Sequence, residues 1–230
     1  MRIVALLEVL ICSDYPTQLA LSETLRAFGY PPFTKSGELS FAFVVGVSTL
    51  DTILLIALVL TFLYAHGERP SDVFVGKRPI RVEAMLGIPL IVIALVLAAA
   101  VLLTVQSFAP FLHSVEHNPL QVLMRSPGRV WLFALVVVVA GGVREEIQRA
   151  FQLHRFQVWL GGGGLGVVVT SIAFGGGHLL QGADAALATG LLGALWGVVY
   201  LRRRSAVAPI VSHAGFNLLQ IAQFLTTGKI

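Results

Sequence analysis

The chain has 230 residues, of which 56% are hydrophobic and only 12% charged, with a mean hydropathy of +0.84. An average soluble domain carries about 25% charged residues, and a disordered chain needs low hydrophobicity with high net charge, so both classes are excluded. Cys12 is the single cysteine, which rules out a disulfide scaffold. A polytopic, all-α integral membrane protein remains.

The first apolar run, Ile3 to Ile11, is too short to cross a bilayer and is interrupted by Glu8. Asp14, Pro16 and an amphipathic stretch from Thr17 to Phe28 follow. No small-residue cleavage site precedes the polar segment, as a signal peptide would require, so this region reads as an interfacial or half-inserted helix. Pro31 and Pro32 punctuate the chain before the first true span, Leu39 to Ala65. Further apolar stretches run from Ala84 to Ser107, Val130 to Leu153, Leu165 to Gln181, Ala185 to Leu201 and Ala206 to Thr226. With about 20 residues needed per crossing, the expectation is about six transmembrane helices. The chain divides into an N-terminal helix and linker (1–38), two spans with their loops (39–129) and a helical core (130–230).

Gly161 to Gly164 lack the Lys-Ser/Thr that a phosphate-binding loop requires and read as a break between helices. Gly193 and Gly197 form a small-xxx-small pair suited to close helix packing.

The net charge of +4 and pI of about 9.6 do not indicate nucleic acid, because the basic residues lie in short loops between apolar runs. Loops 66–82, 154–160 and 202–205 hold eight lysines and arginines against six on the opposite side. The first set is therefore expected to face the cytoplasm.

Ionisable side chains within spans are costly and mark functional sites by default. The third span contains Arg144-Glu145-Glu146-Ile147-Gln148-Arg149. Glu145 and Glu146 lie four and three residues before Arg149, so either carboxylate can meet the guanidinium. The fourth span carries Phe174-Gly-Gly-Gly-His178, with Thr170, Phe174 and His178 on one stripe. The sixth carries His213 and Asn217, four residues apart, with Gln220 further along the same face. One such helix reads as a packing contact or a self-neutralised ion cluster. Three together read as an active site.

In order and spacing, Glu145-Glu146 with Arg149, Phe174-xxx-His178 and His213-xxx-Asn217 resemble the three signatures of the CPBP intramembrane peptidases. These comprise the CAAX prenyl endopeptidases and their bacteriocin-processing or Abi relatives, and the resemblance covers roughly residues 130–226. The first motif departs from the family pattern, which places three residues between the second glutamate and the arginine. Here two residues intervene. Anchoring on the glutamate pair makes Glu145 the catalytic base, with Glu146 as its rival. Anchoring on Arg149 instead puts Arg144 in the place of the base.

The resemblance implies that Glu145 and His178 polarise a water, that His213 and Asn217 form an oxyanion hole, and that Arg149 holds the second carboxylate. The expected activity is endoproteolysis of a membrane-anchored, prenylated (CAAX-like) protein or peptide, in the plasma membrane of a bacterium, with lipid and substrate as partners and no nucleic acid. Glu145, His178 and His213 would make a His2Glu zinc set, but there is no His-Glu-x-x-His pair on one helix. The family's better-understood members are glutamate-dependent without a ligated metal, so no cofactor is expected and zinc stays an open alternative. The rival reading is a non-catalytic scaffold or bacteriocin-immunity protein that keeps the cluster for folding or partner binding. At 1.5 Å per residue, Glu145 and His213 would lie about 12 Å from the presumed cytoplasmic ends, Asn217 about 18 Å and His178 about 20 Å. Asp51, His66, His113, His117 and His154 are expected to be pairing, solvated or interfacial, and Trp131, Trp159 and Tyr200 to form aromatic belts.

Overall fold

The computed structural model describes residues 1–116 and 118–228; His117 lies outside them. Among the described residues the chain is helical, and its one strand-like feature is the isolated bridge Phe33–Leu39. The helices are α1 (Arg2–Ile11), α2 (Tyr15–Ala27), α3 (Phe41–Ala65), the short α4 (Pro70–Phe74), α5 (Ile80–Phe108), α6 (Pro127–Val136), α7 (Glu145–Trp159), α8 (Gly163–Gly176), α9 (Ala183–Arg203) and α10 (Val207–Thr227). A π-helical segment, Val137–Arg144, joins α6 to α7. Three helices are long and apolar enough to cross a membrane, α3, α5 and α9, and the pair α1–α2, bent by 40°, would make a fourth. The protein is thus an integral membrane helical bundle.

Two expected spans take a different form. The third is not one α-helix: α6, the π segment and α7 follow one another, and the charged run begins where the π segment ends. The fourth stops early, at Gly176, after 14 residues, and the chain turns through a 3-10 turn at Leu179–Gln181. A helix of that length spans only about 21 Å, short of the roughly 30 Å hydrocarbon core. The glycines explain where it stops, since consecutive residues without a Cβ weaken a helix. The break at Gly161 and Gly162 is a turn, with φ of 95° and 101°, a conformation that favours glycine.

Small residues set the crossings that position the core. A Cβ on Gly175 of α8 would lie 2.7 Å from the Ala186 carbonyl oxygen and 3.2 Å from Gly190 Cα of α9. A Cβ on Gly142 would lie 2.7 Å from Ala214 Cβ of α10, and one on Gly193 would lie 2.9 Å from the Phe174 ring. Gly175→Ala therefore meets backbone that cannot yield, and it is expected to destabilise the protein by about 1–3 kcal/mol. Gly164→Ala, with nothing within 4 Å of the added carbon, should leave stability unchanged or slightly raised. Thermal unfolding in detergent measures both.

Loops 66–82 and 202–205 share one end of the bundle, where the end of α7, which carries His154 and Arg155 in place of the expected third loop, meets them. Glu68 accepts from Arg155 Nη1 at 2.5 Å and pairs with His154 at 2.8 Å. The Tyr200 hydroxyl donates to the Val73 carbonyl at 3.1 Å, and Ala206 N–H to that of Phe74 at 2.8 Å. Partial burial acts against the Glu68 carboxylate, but the bonds from Arg155 and His154 outweigh it and hold its pKa below the ordinary value. At the opposite end, His113 Nδ1 lies 2.7 Å from Asp184 and Arg125 donates to Glu38 at 2.5 Å.

Two side chains correct the sequence reading. His113 is paired with Asp184 rather than simply solvated. Tyr200 is buried, its ring packed in a cluster with Ala150, Leu153, Val167 and Ala206, and not part of an aromatic belt. Asp51, expected to pair, is fully buried 3.7 Å from Arg144. Trp131, at 80% exposed, does stand on the outer surface where a lipid-facing ring belongs.

Candidate active site

The start of α7 brings two adjacent carboxylates to two different environments, because neighbouring residues on a helix point about 100° apart. Glu146 is enclosed: its side chain is 1% exposed, it accepts from Arg149 one turn on, and it lies 2.8 Å from His213 Nδ1 of α10. Glu145 is 16% exposed, with Arg144 at 3.6 Å and His213 Nε2 at 3.8 Å, and no closer ion pair. Of the two pairings with Arg149 that the spacing allows, the fold uses the one three residues apart.

An aromatic frame fixes this cluster. The Trp196 ring stacks on His213 with centroids 3.9 Å apart and planes 17° from parallel, while its Nε1–H donates to Ser212 Oγ at 3.1 Å. The Arg149 guanidinium lies 4.4 Å from the Phe174 centroid and 5.7 Å from that of Trp196, within the range of cation–π attraction. Arg149 is thus buried and held by a carboxylate and two π faces.

Phe174 links the second motif to the third. Its centroid is 4.8 Å from that of His178 and 6.0 Å from that of His213. Beyond Gly176 the chain turns, and His178 Nδ1 comes to 2.8 Å from the Phe174 carbonyl. That carbonyl can only accept, so Nδ1 carries the hydrogen and Nε2 is left with its lone pair. His213 likewise turns Nδ1 to an acceptor, donating its N–H to Glu146.

Asn217 stands apart from these contacts. Its amide nitrogen faces the π segment, 2.9 Å from where a Cβ on Gly141 would sit. It makes no hydrogen bond with the described residues, and its donors remain available. Two open clefts, one of about 490 Å3 lined in part by Ser40, Leu123 and Arg129 and one of about 380 Å3 lined in part by Glu68, His154 and Arg204, contain none of the six motif residues.

Sequence reasoning missed Trp196 and Asp14. Asp51 was legible as a lone carboxylate within an apolar span, but its partner Arg144 was not. Trp196 looked like any apolar residue of α9. Asp14 had no signal, because its partner Arg144 is 130 residues away.

Among the described residues no group of three or more His, Cys, Asp or Glu side chains is arranged to hold a metal ion. Of the His2Glu set named from the sequence, Glu145 adjoins the Arg144 guanidinium, while His178 and His213 each engage Nδ1 in a hydrogen bond and keep Nε2 outside it.

Residues 127–219 match the family model for type II CAAX prenyl endopeptidases, Rce1-like. Over this segment, which is less than half of the chain, the sequence is similar to the Rce1-like family. The match runs from α6 into α10 and takes in all three motifs. The similarity supports, in general terms, a CAAX-type intramembrane endopeptidase with a membrane-associated protein or peptide substrate. No curated protein and no solved structure gives a significant match to the chain.

Proposed function

We propose that this Rce1-like protein hydrolyses a peptide bond in a prenylated, CAAX-like membrane-anchored substrate, with Glu145 as the base. The observation that carries the assignment is the asymmetry of the two glutamates. Glu146 spends its acceptor capacity on Arg149 and His213, whereas Glu145 keeps a partly open carboxylate beside the same imidazole. A general base must reach a water and take its proton, and Glu145 is the carboxylate with room for one.

In this reading the water is held between Glu145 and the free Nε2 lone pair of His178. Its oxygen attacks the scissile carbonyl carbon while its proton passes to Glu145. The oxyanion is met by the Asn217 amide and by His213 Nε2–H. With Nδ1–H already donated to Glu146, a hydrogen on Nε2 makes the His213 ring cationic. The Glu146 carboxylate and the stacked Trp196 face are the groups that accommodate that charge. Glu145 then passes its proton to the departing nitrogen, the C–N bond breaks, and the products are a carboxylate and an amine. The protein is proposed to work in a bacterial plasma membrane with its basic loops in the cytoplasm.

The same reading is metal-independent, supported by the guanidinium groups that adjoin both carboxylates, since a dication there would meet two fixed positive charges. Purified protein treated with a strong chelator and then freed of it is expected to keep its full rate on a quenched-fluorescent farnesylated peptide. Loss of activity restored by zinc would overturn this part of the proposal. The test of the function as a whole is that peptide assay itself: cleavage abolished by Glu145→Gln supports it, and folded protein that cleaves no such peptide favours a scaffold.

A further inference from the structure

The N-terminal hairpin reaches the same centre, although it lies outside residues 127–219 of the family match. The turn between α1 and α2 inserts against the start of α7. The Cys12 carbonyl accepts from Gln148 Nε2 and Gln152 Nε2, both at 2.9 Å. The Tyr15 hydroxyl donates to the Ala173 carbonyl at 2.7 Å, beside the glycines that precede His178. A Cβ on Gly176 would lie 3.1 Å from that hydroxyl. Between these anchors Asp14 takes a positive φ of 79°, a strained conformation outside glycine that Asp and Asn tolerate best. Its carboxylate lies 2.7 Å from Arg144 Nη1.

Arg144 is buried, at 4% exposed, and lies within ion-pair range of three carboxylates: Asp14 at 2.7 Å, Glu145 at 3.6 Å and Asp51 of α3 at 3.7 Å. It also donates to Gln148 Oε1 at 3.2 Å. The position before the glutamate pair therefore carries a cation next to the proposed base. A guanidinium free to close on Glu145 would form a two-pronged pair with it, the geometry such groups prefer. That pair would occupy the oxygens a water must reach. Asp14 holds the guanidinium away at its shortest contact.

We propose that Asp14 is a positioning residue for the reaction, keeping Arg144 drawn onto the N-terminal turn so that the Glu145 carboxylate stays open to water. This rests on the assignment of Glu145 as base. Asp14 does not touch substrate; it acts through Arg144. Other charges face the same region: His213 of α10 beside Glu145, Arg149 further along α7, and Asp51 of α3. None of them lies as close to Arg144 as Asp14 does.

The test uses the full chain in detergent and the farnesylated peptide. Asp14→Asn keeps the shape and the backbone tolerance but removes the charge. It should lower kcat by about 10- to 100-fold, less than the roughly 10²- to 10⁴-fold of losing the general base itself, with KM little changed. The double variant D14N/R144Q removes the guanidinium that closes on the base, and it should turn over faster than D14N alone. A residue that merely supported the fold would show the opposite order, because the second change removes a further buried contact. D14N at the parent rate, or a double variant no faster than D14N, overturns the proposal while an inactive Glu145→Gln leaves the assignment of the base standing. An active Glu145→Gln overturns both. If D14N does not fold, the double variant compared with R144Q alone decides: equal rates support action through Arg144, and a further drop overturns it.

Discussion

Glu145→Gln is expected to lower kcat on the farnesylated peptide by about 10²- to 10⁴-fold, the usual contribution of a positioned general base, with thermal stability nearly unchanged. The geometry supports both halves of that statement. Glutamine keeps the size and one acceptor oxygen but cannot take a proton from water. Stability is spared because Glu145 is partly exposed and its 3.6 Å contact with Arg144 is looser than the 2.7 Å contact of Asp14. Full activity in this variant would remove Glu145 from the mechanism.

Glu146→Gln should give the converse pattern, with stability as the first casualty. It removes the charge that neutralises Arg149, whose remaining neighbours at the site are the faces of Phe174 and Trp196. Breaking a buried ion pair by deleting one partner leaves an uncompensated charge and costs about 3–5 kcal/mol. The expected result is a markedly lower unfolding temperature in detergent. Activity should fall too, since His213 loses the partner that orients its ring. A variant that unfolds at the parent temperature but has lost all turnover would instead make Glu146 the base. Measured side by side, the two substitutions separate a chemical role from a structural one in adjacent residues.

The membrane class, the helical architecture and the three polar motifs were legible because each rests on local pattern: long apolar runs, glycine breaks, and ionisable residues three or four positions apart. The ends of the third and fourth spans were not. An α-helix and a π turn have the same apolar content, and α8 stops where glycines coincide with a close crossing of α9, a condition that involves both helices. The choice between Glu145 and Glu146 was likewise open, since Arg149 is within a helical turn of each.

What the amino-acid order determined by itself was the environment and the chemical inventory: a chain too apolar for water, carrying two carboxylates, two histidines, an asparagine and an arginine on helices that would otherwise be lipid-like. Only the tertiary structure decided how those groups are divided. The packing of α10 against the start of α7 turns His213 so that one nitrogen meets Glu146 and the other faces Glu145. The insertion of the N-terminal turn gives Arg144 a partner 130 residues away. The reason is that helical periodicity fixes only which face a side chain occupies. The electrostatic character of a buried carboxylate is set by whichever charges the fold brings within a few ångströms of it, and in a medium of low dielectric those few contacts outweigh everything more distant.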